Sequence, residues 1–200
     1  MRKVSAAAIL LSLSITAPAL ADDLAYEHHN IGLGFHTMRA PLGVRWWFGG
    51  QQVALDAGIG FDVDHENITV GGETTDESFT SFALDVGVPI LVKSWDRVHF
   101  LVRPGLGYLS EETVVDINDD GDLVKESDTT LLITGELEFE VFLAQNFSVS
   151  AAHGIAIERF DPADPPDAED EDEATTDFRT IGGEFTRVGF HAYLFGGGGH

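Results

Sequence analysis

From residue 30 onward the chain alternates apolar and polar positions with a period of two, the repeat of a strand whose two faces meet different surroundings. The clearest stretch is Gln52–Val63, where Val53, Leu55, Ala57, Ile59 and Phe61 share one face and Gln52, Asp56, Gly58, Gly60 and Asp62 the other. The same alternation runs through 30–37, 42–48, 79–91, 97–109, 130–143, 146–158 and 179–195. The pattern therefore predicts eight strands, and no helical stripe interrupts them. Most are long enough to cross a bilayer, for which a tilted strand needs about 9–11 residues.

The connections alternate too. Gly49-Gly50-Gln51, Lys93-Ser94-Trp95-Asp96 and Ala144-Gln145-Asn146 read as tight turns. Between them lie long polar connections at 64–78, 111–128 and 160–177, with a short link at 38–41. In an up-and-down barrel every second connection emerges at the same end, so the long ones gather at one end and the turns at the other, as in outer-membrane barrels. The predicted fold class is all-β, an eight-stranded antiparallel up-and-down transmembrane β-barrel.

Alternation alone does not say which face points outward: a lipocalin-type barrel is apolar inside, a membrane barrel outside. One face carries Trp46, Phe48, Phe61, Phe82, Leu84, Val86, Phe100, Val102, Leu106, Tyr108, Leu137, Phe139, Phe147 and Val149. The other carries Gly32, Gly34, Gly58, Gly60, Gly87, Gly105, Gly107 and Gly154, together with Arg45, Arg103, Arg187, Asp56, Asp85, Glu136, Glu138 and Glu140. Glycine suits a crowded bore better than a solvated exterior, so the polar face is assigned to the lumen. There the charges are expected to form a hydrogen-bonded ion-pair network, because lone buried ions are too costly. Arg103 falls near the depth of Asp85 and Glu136. His153 fits badly on the apolar parity, and a bulge near Ala151-Ala152 would turn it inward. In the last strand Val188, Phe190, Ala192 and Leu194 form the outward face.

The first 21 residues depart from this pattern. Met-Arg-Lys, an apolar run Val4–Ile15 and Pro18-Ala19-Leu20-Ala21 read as a secretory signal cleaved before Asp22. The expected organisation is signal peptide 1–21, periplasmic lead-in 22–29, barrel 30–195 and Gly-rich tail 196–200. The 200 residues include 34 acidic against 11 basic side chains, net −23, which lacks the basic footprint of a nucleic-acid binder. With no Cys, disulfides and thiolate chemistry are excluded. Fourteen Phe and 22 Gly suit a β-rich chain with tight turns.

On these alternating strands, on Arg103-Pro104-Gly105-Leu106-Gly107-Tyr108 and on the closing His191-Ala192-Tyr193-Leu194-Phe195, residues 30–195 resemble the small outer-membrane β-barrels of Gram-negative bacteria. The nearest type is the eight-stranded transmembrane domain of outer-membrane protein A. The resemblance implies the outer membrane as location and outer-membrane lipid and lipopolysaccharide as surroundings. It also implies insertion by the barrel assembly machinery, which in that family reads a terminal aromatic strand; here Gly196–Gly199 and His200 follow Phe195.

Acid gathers in the three long connections: 64–77, 111–128 and 161–177 hold 5, 8 and 9 acidic residues, 22 of the 34, with Lys125 the only base among them. Asp116-Ile117-Asn118-Asp119-Asp120-Gly121-Asp122 matches the opening of an EF-hand-type loop, which makes Asp116, Asn118, Asp120 and Asp122 candidate Ca²⁺ ligands. The match stops at the twelfth position, Ser127, and an acidic hairpin tip reads equally well. No cofactor is otherwise expected. Catalysis has no constellation to carry it: His153 has Ile155, not Ser, two residues on, and His28-His29 lack partners at ligand spacing. The expected function is thus a monomeric, non-enzymatic barrel with a structural or surface-interaction role through acidic external loops. The alternatives are a narrow transport pore or ion-binding barrel, and a soluble periplasmic ligand-binding barrel.

Overall fold

A sheet with one apolar and one charged face can shelter one of them by curling until its first and last strands pair. The computed structural model of the chain, which describes residues 29–48, 52–70, 73–117, 123–163, 174–179 and 186–196, closes in this way. Its strands are β1 (His29–Phe35), β2 (Leu42–Phe48), β3 (Val53–Val70), β4 (Glu73–Gly87), β5 (Ile90–Trp95), β6 (Val98–Ile117), β7 (Leu123–Ala144), β8 (Phe147–Asp161), β9 (Thr175–Arg179) and β10 (Thr186–Gly196). All pairings are antiparallel. β10 pairs with both β8 and β1, which seals an eight-stave, up-and-down barrel in which β4 with β5 and β9 with β10 each make one stave.

The fourth stave, read from the sequence as one strand over 79–91, is broken at Val88-Pro89. Proline chemistry explains the break. Pro104 on β6 accepts from Val88 N (2.9 Å) but has no N–H to return, and Pro89 has none either. Pro89 instead turns its carbonyl to Ala54 N (2.8 Å), which holds the break against β3. The last strand, expected over 179–195, is also divided: β9 pairs with β8 higher up, and β10 begins at Thr186.

The long polar connections are the largest departure from expectation. Above Ser81↔Glu111, β4 leaves β6, and above Leu42↔Ile59, β2 leaves β3, yet β3 and β4 stay paired as far as Val70↔Glu73. Likewise β7 and β8 part above Thr129↔Asp161, while β6 and β7 continue to Ile117↔Leu123. Most of 64–78 and 111–128 is therefore freestanding two-stranded ribbon rather than loop. The third connection begins only after β8 ends at Asp161 and is strand again at β9. His29 and Gly196, assigned by the sequence to lead-in and tail, pair with each other.

The outer wall is apolar. Among the described residues, large hydrophobic side chains such as Phe61, Leu106, Ile133 and Leu137 are exposed along it, Phe61 at 70 %, whereas few hydrophobic residues are buried. Cross-strand aromatic pairs cover this surface, among them Phe100–Phe139 (4.9 Å between centroids), Phe147–Phe190 (6.0 Å) and Phe35–Phe190 (6.1 Å). His153 stands on this outer face. The β7–β8 register runs without irregularity through Glu138↔Ala152 and Leu137↔His153, so the bulge proposed near Ala151-Ala152 is not formed.

Candidate functional site

The interior is layered. At the end of the tight turns Trp47, Ala54, Leu101 and Tyr193 pack together, with Leu91 and Phe142 against them. At the opposite end Ala40, Ala83 and Leu109 form a small apolar cluster. Between the two lies a charged layer that brings together all eight residues which alternation assigned to the lumen.

Arg45 on β2 is paired in register with Asp56 on β3 and grips it with a fork, Nε to Oδ1 at 2.7 Å and Nη2 to Oδ2 at 2.8 Å. Its Nη2 also reaches across the bore to Glu138 Oε1 on β7 (2.8 Å), and its Nη1 lies 3.3 Å from Glu140 Oε2. Arg103 on β6 touches Asp56 Oδ2 (3.1 Å), Glu136 Oε2 (3.3 Å) and Asp85 Oδ1. Arg187 on β10 lies 2.8 Å from Glu136 Oε2 and 3.4 Å from Glu138 Oε2. Arg45 and Arg103 are buried to 1 % and 0 % exposure, so these charges have exchanged water for one another. Gly87 makes the room: a Cβ there would run into the Arg103 guanidinium.

Alternation did not place His36 in this layer. It lies one residue beyond β1, in the connection to β2, which folds into the bore instead of arching over the rim. His36 N donates to Pro41 O (3.2 Å), Thr37 N to Ala40 O (3.2 Å), and Ala40 N to Thr37 Oγ1 (2.9 Å). This turn drops the imidazole between Asp85, Arg103 and Arg187. Nε2 is 2.5 Å from Asp85 Oδ1, against 3.3 Å and 3.2 Å from the two guanidiniums. Since guanidinium nitrogens only donate, the shortest contact assigns Nε2–H as donor to Asp85. A signal for the inward fold was present in the sequence: Gly43, Gly58 and Gly60 face it, and a Cβ at any of them would strike His36 or the Arg39 backbone.

Below the arginines, Glu140 Oε1 accepts from Ser148 Oγ (2.6 Å) and Tyr193 Oη (2.7 Å), and Trp47 Nε1 donates to Tyr193 Oη (3.3 Å). These contacts join the charged layer to the aromatic floor. His99 and His191 flank Glu140 at 3.9 Å, beyond hydrogen-bond reach. Above the layer is a cavity of about 640 Å³, lined by the 37–40 turn and by residues of β4, β6, β7 and β10.

Of the candidate Ca²⁺ ligands, Asn118, Asp120 and Asp122 lie outside the described residues. Asp116 is described through its backbone, which pairs with Val124 near the tip of the β6–β7 ribbon. Among the described residues no group of three or more His, Asp or Glu is arranged to hold a metal. The signal segment 1–21 also lies outside the described residues. No protein-family model matches the chain, and no curated protein matches it.

Proposed function

We propose that the protein is a bacterial outer-membrane β-barrel that stands in the bilayer as a monomer and does not conduct. It resembles the eight-stranded transmembrane domain of outer-membrane protein A in build, with residues 1–21 as its export signal. Its role is structural or one of surface interaction, carried by the acidic ribbons above the barrel. The observation that supports this reading is the inversion of the two faces. Phe61, Leu84, Leu106, Leu137 and Phe139 stand on the outside, and Arg45, Arg103, Asp56 and Glu138 are sealed within. A soluble ligand-binding barrel requires the opposite arrangement, because contiguous apolar surface on this scale is unstable in water.

The test is fractionation with and without detergent, combined with gel migration before and after boiling. The protein is expected in the outer-membrane pellet, released only by detergent and shifted in mobility by heat. Recovery in the soluble periplasmic fraction would overturn the reading.

The pore alternative is separated by a second measurement. Guanidiniums bridging β2, β3, β6, β7 and β10 cross the bore, and an eight-stranded barrel has only enough interior for its own side chains at that level. A planar bilayer containing the folded protein is expected to show no steady open level.

A further inference from the structure

The charged layer fills the middle of the barrel but not its upper third. The cavity there, about 640 Å³, falls within the ~300–1,000 Å³ range of small-molecule sites. We infer that this upper-lumen cavity binds a small amphiphile with a cationic head, its apolar body against Ala83, Leu109 and Leu132 and its head on the carboxylates of Asp85 and Glu136. The inference goes beyond the proposed structural role and does not depend on it, since the cavity belongs to the closed barrel whatever surrounds the barrel.

Two features define the class of ligand. The first is the contrast between walls and floor. Most of the wall, Ala83, Leu109 and Leu132 among it, offers water nothing to bond to, and Thr37, Arg39 and Thr134 supply the few polar groups beside it. Asp85, Glu136 and Arg187 lie directly beneath. A molecule apolar along its length and charged at one end matches both surfaces.

The second feature is which charges at the floor still have capacity. Both hydrogen bonds of Asp85 run through Oδ1, one to His36 and one to Arg103, and the single hydrogen bond of Glu136 runs through Oε2. These contacts leave Asp85 Oδ2 and Glu136 Oε1 as acceptors on the cavity side, and both residues line it. Asp85 is also the most open of the three, its side chain 17 % exposed against 9 % for Glu136 and 6 % for Arg187. The guanidinium of Arg187, by contrast, is engaged by Glu136 and Glu138. The vacant valence at the floor is for donors. The surroundings act in the same sense: five carboxylates face three guanidiniums in the layer, and acidic ribbons rise beside the mouth, an excess of anions that Arg39 in the lining offsets only in part, so the field favours entry of cations.

The experiment titrates hexylammonium, hexanoate and 1-hexanol into the full-length folded protein in a non-ionic detergent, followed by calorimetry and by transfer of magnetisation from protein to ligand. Hexylammonium is expected to bind saturably and more tightly than either competitor. Ala83→Phe and Leu132→Trp, which fill the cavity, are expected to abolish binding in protein that retains its heat-shifted migration. Glu136→Gln is expected to weaken hexylammonium about tenfold while leaving 1-hexanol unchanged. Should the filling variants fail to fold, contacts from the hexyl protons to the Ala83 and Leu132 methyls of the unaltered protein locate the ligand instead. The inference is overturned by absence of saturable hexylammonium binding at millimolar concentration, by equal or tighter binding of hexanoate, or by binding that survives a filled cavity. None of these outcomes bears on fractionation or conductance, so failure here is distinct from failure of the membrane reading.

Discussion

Arg103 touches carboxylates from three other strands, Asp56 on β3, Asp85 on β4 and Glu136 on β7, and it does so with no exposure to solvent. Such a group is best understood through what its removal leaves behind. Arg103→Met would leave Asp56 to Arg45, Glu136 to Arg187 and Asp85 chiefly to His36, in a layer that already has more carboxylates than guanidiniums, and breaking a buried pair from one side costs about 3–5 kcal/mol. The expected outcome is a barrel destabilised by about that amount, read from denaturant unfolding in detergent. Arg103→Lys is expected to recover only part of it, because a single ammonium cannot follow the divergent directions of Nε, Nη1 and Nη2. Gly87→Ala should also destabilise, since the added methyl takes the space that the Arg103 guanidinium occupies.

At the scale of the element, the two ribbons above the barrel are tied by one side chain. Lys125 on β7 bonds Glu77 Oε2 at 2.6 Å, donates to Ser78 O at 2.9 Å and lies over the Phe79 ring at 4.8 Å, all three partners on β4. A second tie runs from Thr80 N to Glu112 Oε2 (2.8 Å). Each ribbon is otherwise two strands alone, an arrangement that is only marginally stable in water. Lys125→Ala is therefore expected to raise amide exchange across 64–78 and 112–127 while leaving the barrel strands protected, which hydrogen–deuterium exchange would show.

These ribbons also mark where the sequence ceased to be legible. Period-two alternation exposes a strand only while its two faces differ, as Val53–Phe61 does and as Glu66-Asn67 and Asp76-Glu77, wet on both sides, do not. His36 shares the inward parity of Gly32 and Gly34, but it lies beyond the end of β1, where parity no longer fixes direction; the small residues that face its turn, Gly43, Gly58 and Gly60, carry the signal for the inward fold. Where one face was apolar and outward and the other faced the bore, parity placed Arg45, Asp56, Asp85, Arg103, Glu136, Glu138, Glu140 and Arg187 on one side. The break at Val88-Pro89 needed a fact about two strands at once, that Pro104 stands opposite Val88, one level from Pro89.

For the whole molecule, the proposed setting in a bilayer can be read from its three tryptophans. Trp46 and Trp95 stand on the outer wall at 51 % and 49 % exposure, and Trp47, next in sequence to Trp46, is turned inward at 4 %. In lipid carrying brominated acyl chains, single-Trp versions retaining Trp46 or Trp95 are expected to be quenched strongly and the version retaining Trp47 weakly. Equal quenching of all three would contradict the orientation on which the membrane proposal rests.

Glu138 bears on how such a molecule can be built at all. The residues beside it on the neighbouring strands are Leu101 and Ala152, so neither hairpin that contains it supplies a cation. Its partners come from elsewhere: Arg187 from β10, level with the same Ala152 on the far side of β8, and Arg45 from β2, which reaches Glu138 across the bore once the sheet has curled. A sheet lacking β2 and β10 would carry a naked anion in hydrocarbon, costly in such a medium, and the docking of β10 followed by curling toward β2 removes that penalty. In the proposed bilayer setting, the last strands to dock bring the counter-charges that this central carboxylate needs, which ties its neutralisation to completion of the cylinder.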